Sequence, residues 1–157
     1  MNLFGLMETS GSAMQAERMR AEVVAANMAN AETTRTESGE PYRRKMVVFE
    51  ADPAARRFQE SLLGLTRNAT LEGGMPEASM GAGVHIAAVV QDQAAPLRRY
   101  DPGHPDADPT GYVAYPNINP LTEMVDLMGA TRAYGLNGSA VQAEKSMVNA
   151  ALEIAKA

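Results

Sequence analysis

The sequence lacks cysteine and tryptophan and contains few aromatic residues of any kind. Its 157 residues include no Cys, no Trp and only 5% aromatic residues. Without cysteine, disulfide bonds, zinc–thiolate sites and thiol catalysis are excluded. So few aromatic rings disfavour a rigid, ring-walled pocket for a small molecule. The 11 methionines and the abundant alanines instead suit adaptable helical contact surfaces.

Long apolar runs and basic stripes are also missing. No apolar stretch approaches the roughly 18 residues of a membrane-spanning helix, and Met1–Phe4 has no basic residue. We therefore expect no direct membrane insertion and no cleaved signal peptide. The net charge of −5 is spread evenly, which disfavours a nucleic-acid partner. The basic cluster at residues 43–45 is interpreted as an exposed strand end.

Helical periodicity marks the N-terminal segment, residues 1–34. Between residues 3 and 31, seven of the nine positions at 3–4 spacing are apolar, which predicts a helix with one apolar stripe. Gly5 and Gly11 weaken its first turns, so we expect firm helix only from about Ser12. The stripe residues predicted to contact other helices include Met14, Val24 and Met28.

The C-terminal segment, residues 119–157, is the clearer helix. Asn119 and Pro120 are the residue types preferred at the N-cap and at the first helical position. From residue 133 onward an unbroken apolar series at 3–4 spacing predicts a contact surface, which we call the alanine seam. Its members are Ala133, Leu136, Ala140, Ala143, Met147, Ala150 and Ile154. Such a stripe needs a partner helix, from the same chain or from a neighbour.

The middle of the chain, residues 35–118, carries strand and turn signals. Apolar alternation and turn residues predict four strands, at Tyr42–Glu50, Val84–Gln91, Leu97–Tyr100 and Tyr112–Tyr115. Residues 52–82, with several glycines and prolines, are interpreted as a mobile insertion. The predicted fold class is α+β: residues 1–34 and 119–157 form a discontinuous helical assembly domain with a coiled-coil-like layer, and residues 35–118 form a small β-rich domain between them.

One cluster could bind a metal ion. Asp101, His104, Asp106 and Asp108 offer hard oxygen and imidazole ligands suited to Ca²⁺ or Mn²⁺. Their spacing matches no EF-hand, however, and the interleaved prolines are typical of a rigid turn. Neither histidine lies in a recognisable nucleophile motif. We therefore predict no metal, no cofactor, no catalytic residue and no small-molecule substrate.

Several motifs resemble those of a known family. The run Ala26–Asn30 resembles the Ala-Asn-x-Ala-Asn signature of bacterial flagellar rod and hook proteins, the axial family. Longer segments resemble the proximal rod proteins within it: Glu32–Thr36, Pro41–Lys45, Tyr100–Asp108, Gly111–Asn119 and Thr131–Tyr134. The resemblance implies a non-enzymatic subunit of the basal-body rod that assembles with other rod proteins and with copies of itself, transmitting torque for motility. It also implies a rod spanning the periplasm and delivery by the flagellar type III export apparatus without a cleaved signal.

The same resemblance directs attention to Asn27 and Asn30. They lie three residues apart, so both project from one side of the helix near its C-terminal end. We expect their amides to bond to helices of neighbouring subunits and to fix register, as a buried Asn does in a coiled coil. In the alternative interpretation Asn30 merely ends the helix and Asn27 is solvated. Two other functions stay open: a soluble helical adaptor that closes its helix pair within one chain, and a metal-dependent enzyme using the Asp101–Asp108 loop.

Overall fold

A computed structural model describes residues 3–51 and 83–156 of the chain. In this part of the chain, one long helix precedes and another follows two small sheets of two strands each. In chain order the elements are α1 (Leu3–Ala29), β1 (Lys45–Ala51), β2 (Val84–Gln91), β3 (Leu97–Tyr100), β4 (Tyr112–Tyr115) and α2 (Pro120–Lys156). The α+β prediction, with long terminal helices and a small β region between them, is confirmed. The predicted mobile insertion at residues 52–82 lies outside the described residues.

Helix α1 begins earlier than the sequence indicated. It starts at Leu3 and runs through Gly5 and Gly11, well before the expected start at Ser12. Side chains support these turns, since the Thr9 hydroxyl donates to the Gly5 carbonyl at 2.8 Å and the Ser12 hydroxyl to the Thr9 carbonyl at 2.9 Å. The glycine cost of about 0.5–1 kcal/mol per site therefore does not end the helix here.

Helix α2 begins as its sequence predicts. The Asn119 side-chain oxygen accepts a hydrogen bond from the Leu121 amide at 3.0 Å, and the Asn119 carbonyl accepts one from the Glu123 amide at 3.1 Å. Pro120 occupies the first turn, where its missing N–H costs nothing. No helix among residues 3–51 and 83–156 is both long enough and apolar enough to cross a membrane.

The β region matches three of the four predicted strands in their bounds. Strands β3 and β4 pair antiparallel, with Leu97 opposite Tyr115 and Tyr100 opposite Tyr112. Strand β1 starts at Lys45, three residues later than expected, and it pairs with β2 in the other sheet. The loop between β3 and β4 ends at Gly111, whose φ of +83° and approach to the Tyr100 ring leave no room for a Cβ.

The chain divides into two compact units, and each helix contributes to both. The first unit contains residues 1–17, 49–86 and 133–157, and the second contains residues 18–48 and 87–132. In the first unit the buried described residues on the helices include Ser10, Ala16 and Glu144. In the second unit an apolar core holds the polar side chains of Asn27 and Glu123; its buried apolar members are Val24, Val113, Ile118 and Ala130.

Candidate functional site

In the second unit, the Asn27 amide joins α1 to the start of β1. Asn27 is 1% exposed. Its side-chain nitrogen donates to the Lys45 carbonyl at 2.8 Å, and its side-chain oxygen accepts from the Lys45 amide at 2.9 Å. The side chain thereby pairs with both backbone groups of Lys45, as a neighbouring strand would. This geometry fixes where the chain leaves the helix region and enters the sheet.

The remaining hydrogen-bonding capacity of Asn27 is used by two other side chains. Its nitrogen also donates to Glu123 Oε2 on α2 at 3.0 Å, and its oxygen also accepts from the Tyr42 hydroxyl at 3.1 Å. Burial, and secondly the negative charge of Glu123, raise the pKa of the Tyr42 hydroxyl above its ordinary value. The hydroxyl therefore stays protonated and remains a donor to Asn27.

Charged side chains complete this arrangement, which we call the Asn27 cluster. The Arg44 guanidinium lies 2.6 Å from Glu123 Oε1 and 3.5 Å from Asp126, and the Arg20 guanidinium lies 3.4 Å from Asp126. Glu123 is 1% exposed, so its charge depends on Arg44 and on the Asn27 amide for compensation. The cluster ties α1, the segment before β1 and the first turns of α2 together within one chain.

Asn30 has a different local role. Its side-chain nitrogen donates to the Ala26 carbonyl at 2.9 Å, and its side-chain oxygen accepts from the Thr33 hydroxyl at 3.2 Å. These bonds satisfy groups left open where α1 ends at Ala29. Both asparagines bond within their own chain in this structure, and the expected bonds to neighbouring subunits stay a prediction. Asn30 lies at the end of α1, whereas Asn27 is buried and not solvated.

The turn-rich loop after β3 is held by its own aspartates. Asp106 accepts from the Thr34 hydroxyl at 2.8 Å and lies 3.5 Å from the Arg35 guanidinium. Asp108 accepts from the Thr110 hydroxyl and amide and from the Tyr112 amide, and these bonds lower the pKa of its carboxyl. Among the residues that the structure describes, no group of three or more His, Asp or Glu side chains is arranged to hold a metal ion.

In the first unit, most of the alanine seam is exposed. Leu136 is 67% exposed and Ile154 78% exposed, and the members between them are exposed as well: Ala140, Ala143, Met147 and Ala150. Only Ala133 is half-buried. The less exposed side of this part of α2 is a neighbouring face, which we call the inner face: Asn137, Gly138, Val141, Glu144 and Val148.

The predicted interface residues of α1 lie against their own chain. A Cβ placed on Gly138 would lie 3.9 Å from the sulfur of Met14, so Met14 lies against Gly138 of the inner face. Val24 is buried in the core of the second unit, and Met28 is half-buried there. The structure therefore separates the predicted set into residues that contact their own chain and an exposed seam that does not.

Sequence reasoning missed the charged members of the Asn27 cluster. Arg44 belongs to the basic cluster interpreted as an exposed strand end, and Glu123 is not singled out by the sequence analysis. Their partners lie far away in sequence, 79 residues apart for Arg44 and Glu123 and 96 for Asn27 and Glu123. The available signal was the opposite charge of Glu123, the fourth residue of α2, and of the basic cluster at residues 43–45.

Comparison with known proteins gives consistent matches along the chain. Residues 7–35 match the family described as flagella basal body rod protein, and residues 110–154 match the family described as flagellar basal body rod FlgEFG protein C-terminal. These two stretches contain most of α1 and most of α2.

Full-length relatives extend the match to the whole chain. The flagellar basal-body rod protein FlgC of Bacillus subtilis is 40% identical over 99% of this chain and 100% of its own length. The FlgC protein of Borreliella burgdorferi is 36% identical over 98% of both chains, and that of Salmonella typhimurium is 36% identical over 94% of both. The similarity therefore includes the β region as well as the helices.

Proposed function

Because the chain belongs to the FlgC family of flagellar basal-body rod proteins, it is a structural subunit of the rod, and we propose that the alanine seam is its contact surface with neighbouring subunits. The subunit assembles with other axial proteins in the flagellar basal body and contributes to motility. What supports the seam as the surface is its exposure: six apolar side chains from Leu136 to Ile154 stand on one side of α2 without cover.

The occupant of the seam is a helix of a neighbouring rod subunit, either another copy of this chain or a different rod protein. Alanines at positions 140, 143 and 150 let a second helix approach closely, since they present only a methyl group. Leu136, Met147 and Ile154 supply the larger apolar area. A soluble adaptor that closed its helix pair within one chain would cover this stripe itself.

The proposal extends to organisation and delivery. We assign residues 1–34 and 119–157 to a helical assembly domain and residues 35–118 to a middle domain that contacts neighbours elsewhere in the rod. The subunit acts where the rod crosses the periplasm and reaches it through the flagellar type III export apparatus. Long helices gain most of their stability from packing, so a subunit whose seam is uncovered before assembly suits passage through a narrow channel.

The seam is tested by enlarging one of its small residues. In Ala143→Leu the added side chain overpacks a close helix contact, at about 1–3 kcal/mol for each contact in the rod. The variant should be exported but should build few basal bodies, as counted by electron microscopy. Its thermal unfolding as a free chain should match wild type, because Ala143 is exposed.

Gln142→Leu is the matched control, because Gln142 is also exposed but lies off the seam. It places the same side chain on the same turn of α2 and should assemble normally. Wild-type numbers of basal bodies in Ala143→Leu would contradict the proposed surface.

A further inference from the structure

The first turns of α2 carry a second apolar stripe that the chain leaves uncovered. Within the second unit, Leu121 is 70% exposed, Val125 is 56% exposed and Met128 is 57% exposed. The next residue at this 3–4 spacing is Arg132, which is exposed as well. We call these four residues the Leu121 stripe.

The Leu121 stripe faces away from the core of its own unit. Glu123 and Ala130 are the buried residues in these turns of α2. At about 100° per residue, both lie roughly opposite the middle of the stripe. The stripe is therefore a surface that the second unit does not use for its own core, and it has the apolar character of a contact surface.

The last four residues of the alanine seam repeat the spacing of this stripe. In chain order they are Ala143, Met147, Ala150 and Ile154. Their intervals of 4, 3 and 4 residues are also the intervals of the Leu121 stripe. When two copies of α2 lie parallel with a shift of 22 residues, each stripe residue therefore meets one seam residue, as in the layers of a coiled coil. The first three layers pair Leu121 with Ala143, Val125 with Met147 and Met128 with Ala150.

The sizes of the paired side chains are complementary. In two of these layers a long side chain, Leu121 or Met128, meets only the methyl group of an alanine, so the helices can approach closely without a steric clash. Pairing one seam with the seam of another copy in the same register would place alanine on alanine at Ala143 and Ala150 and would bury less apolar area.

The fourth layer adds charge complementarity. It places Arg132 beside Ile154, and Glu153 is the residue before Ile154. In a parallel pair of helices, a long basic side chain at the seam can reach the acid that flanks the seam of the partner helix. Arg132 and Glu153 are both exposed, and neither has an ion-pair partner among residues 3–51 and 83–156. Pairing them therefore breaks no contact that the structure shows.

We propose that the Leu121 stripe of one copy docks on the alanine seam of a second copy of this chain, with the two α2 helices parallel and Arg132 paired with Glu153. This inference rests on the proposed function, in which the seam receives a helix, and it names that helix. Because the two surfaces differ, the contact is heterologous: the docked copy presents its own seam to a further copy, so the contact repeats along an assembly instead of closing a dimer.

Charge reversal tests the pairing of Arg132 with Glu153. Arg132→Glu and Glu153→Arg each bring like charges together and should lower the number of basal bodies, counted by electron microscopy, about fivefold or more. The variant with both substitutions restores opposite charges and should recover wild-type numbers. All three free chains should unfold thermally like wild type, because both residues are exposed. Normal numbers in the single variants, or no recovery in the double variant, would overturn the inference.

Lys145→Glu is the matched control for charge. Lys145 is also an exposed basic residue of α2, but it projects from the side of the helix opposite the seam. The variant should assemble normally. An equal loss of basal bodies in Lys145→Glu would mean that assembly responds to the charge of α2 in general, which contradicts a specific pair.

Cross-linking identifies the second copy directly, because the chain has no native cysteine. Basal bodies built from the variant Leu121→Cys, Ala143→Cys are oxidised with copper–phenanthroline. The two positions are 22 residues apart on one helix, too far for a disulfide within a chain, so a ladder of dimers and larger oligomers should form. Leu121→Cys with Gln142→Cys, off the seam, should stay monomeric. No ladder from the first pair would refute docking between copies.

The outcome for Ala143→Leu separates this inference from the proposed function. If Ala143→Leu blocks assembly while the double charge reversal fails to recover it and no ladder forms, the seam stands and its occupant is a different rod protein. If Ala143→Leu assembles normally, the seam itself is refuted, and the inference with it.

Discussion

Two buried glutamates on the same helix differ in a way that distinguishes the two units of the molecule. Glu123, in the second unit, bonds to the Asn27 amide and to the Arg44 guanidinium, whereas Glu144, in the first unit, has neither a donor nor a cation among residues 3–51 and 83–156. The second unit buries Val113 and Ile118, although Leu121, Val125 and Met128 on its part of α2 are exposed. The first unit leaves the alanine seam exposed.

The difference indicates a division of labour along α2. Its first turns are held by contacts within the chain, which give the free subunit a defined structure. Its later turns carry the alanine seam, which in the proposed function is covered by a helix of a neighbouring subunit. We therefore expect assembly to depend on the later turns of α2, where the alanine seam is exposed in the single chain.

The largest effect is expected from removing the cation beside Glu123, which leaves this buried glutamate without a charged partner. In Arg44→Met the long side chain is retained but the cation is lost, so Glu123 keeps a buried charge without its principal partner. Breaking a buried pair in this way costs about 3–5 kcal/mol. Urea unfolding of the free chain should show this loss of stability.

The control for that variant is Arg98→Met. Arg98 also contacts a carboxylate, Asp108 at 3.5 Å, but its side chain is 73% exposed, so the expected change is below about 1 kcal/mol. Equally small losses of unfolding free energy in the two variants would mean that the stability of the second unit does not depend on the Arg44–Glu123 pair.

A smaller effect is expected from Asn27→Ala. The substitution leaves the Lys45 amide and carbonyl without their side-chain partner and removes a donor from Glu123. Because Lys45 is only half-buried, water can replace its two bonds, and we expect a total loss of about 1–3 kcal/mol. Asn30→Ala is the comparison, because it removes two side-chain bonds at a more exposed helix end, where water can replace them, and should cost about 0.5–1.5 kcal/mol. If Asn27→Ala unfolds at the same urea concentration as wild type, the bonds of the Asn27 cluster do not stabilise the free chain.

The smallest effect concerns the loop after β3, through Asp108→Asn. The pKa of Asp108 is lowered in the folded chain, first by the Thr110 hydroxyl and then by the Tyr112 amide. A lowered folded pKa means that the stabilisation is complete above the ordinary pKa of 3.8 and disappears as the pH falls through the folded value. Wild type should therefore be slightly more stable than the variant at neutral pH, and the difference should vanish in acid. A difference that grows toward low pH would contradict this.

Local signals in the sequence predicted much of the fold. The Asn119–Pro120 pair marks the start of α2, and the turn-rich loop separates β3 from β4, because both depend on residues close together in the chain. The start of α1 was placed too late because glycine propensity was weighed without its surroundings. In the structure the Ser12 hydroxyl accepts a hydrogen bond from the Val84 amide at 3.1 Å, a contact between residues 72 positions apart.

The candidate site was harder to predict for a physical reason. The alanine seam and the inner face of α2 are both built from small and apolar residues at 3–4 spacing, so periodicity alone could not show which of them the chain covers itself. On the inner face, Met14 lies against Gly138, a residue without a side chain. Glu144 does not interrupt the 3–4 spacing of the alanine seam, and its burial in the structure is what distinguishes it from an ordinary solvated glutamate.

The absence of native cysteine makes a direct measurement of the central claim possible. Single-cysteine variants Ala143→Cys, on the seam, and Gln142→Cys, off the seam, are treated with a maleimide as free chains and as assembled basal bodies. The account predicts that both react in the free chain and that only Ala143→Cys becomes protected, by at least about tenfold in rate, when the rod is built. Equal reactivity of Ala143→Cys in the free chain and in the rod would show that no neighbour covers the seam.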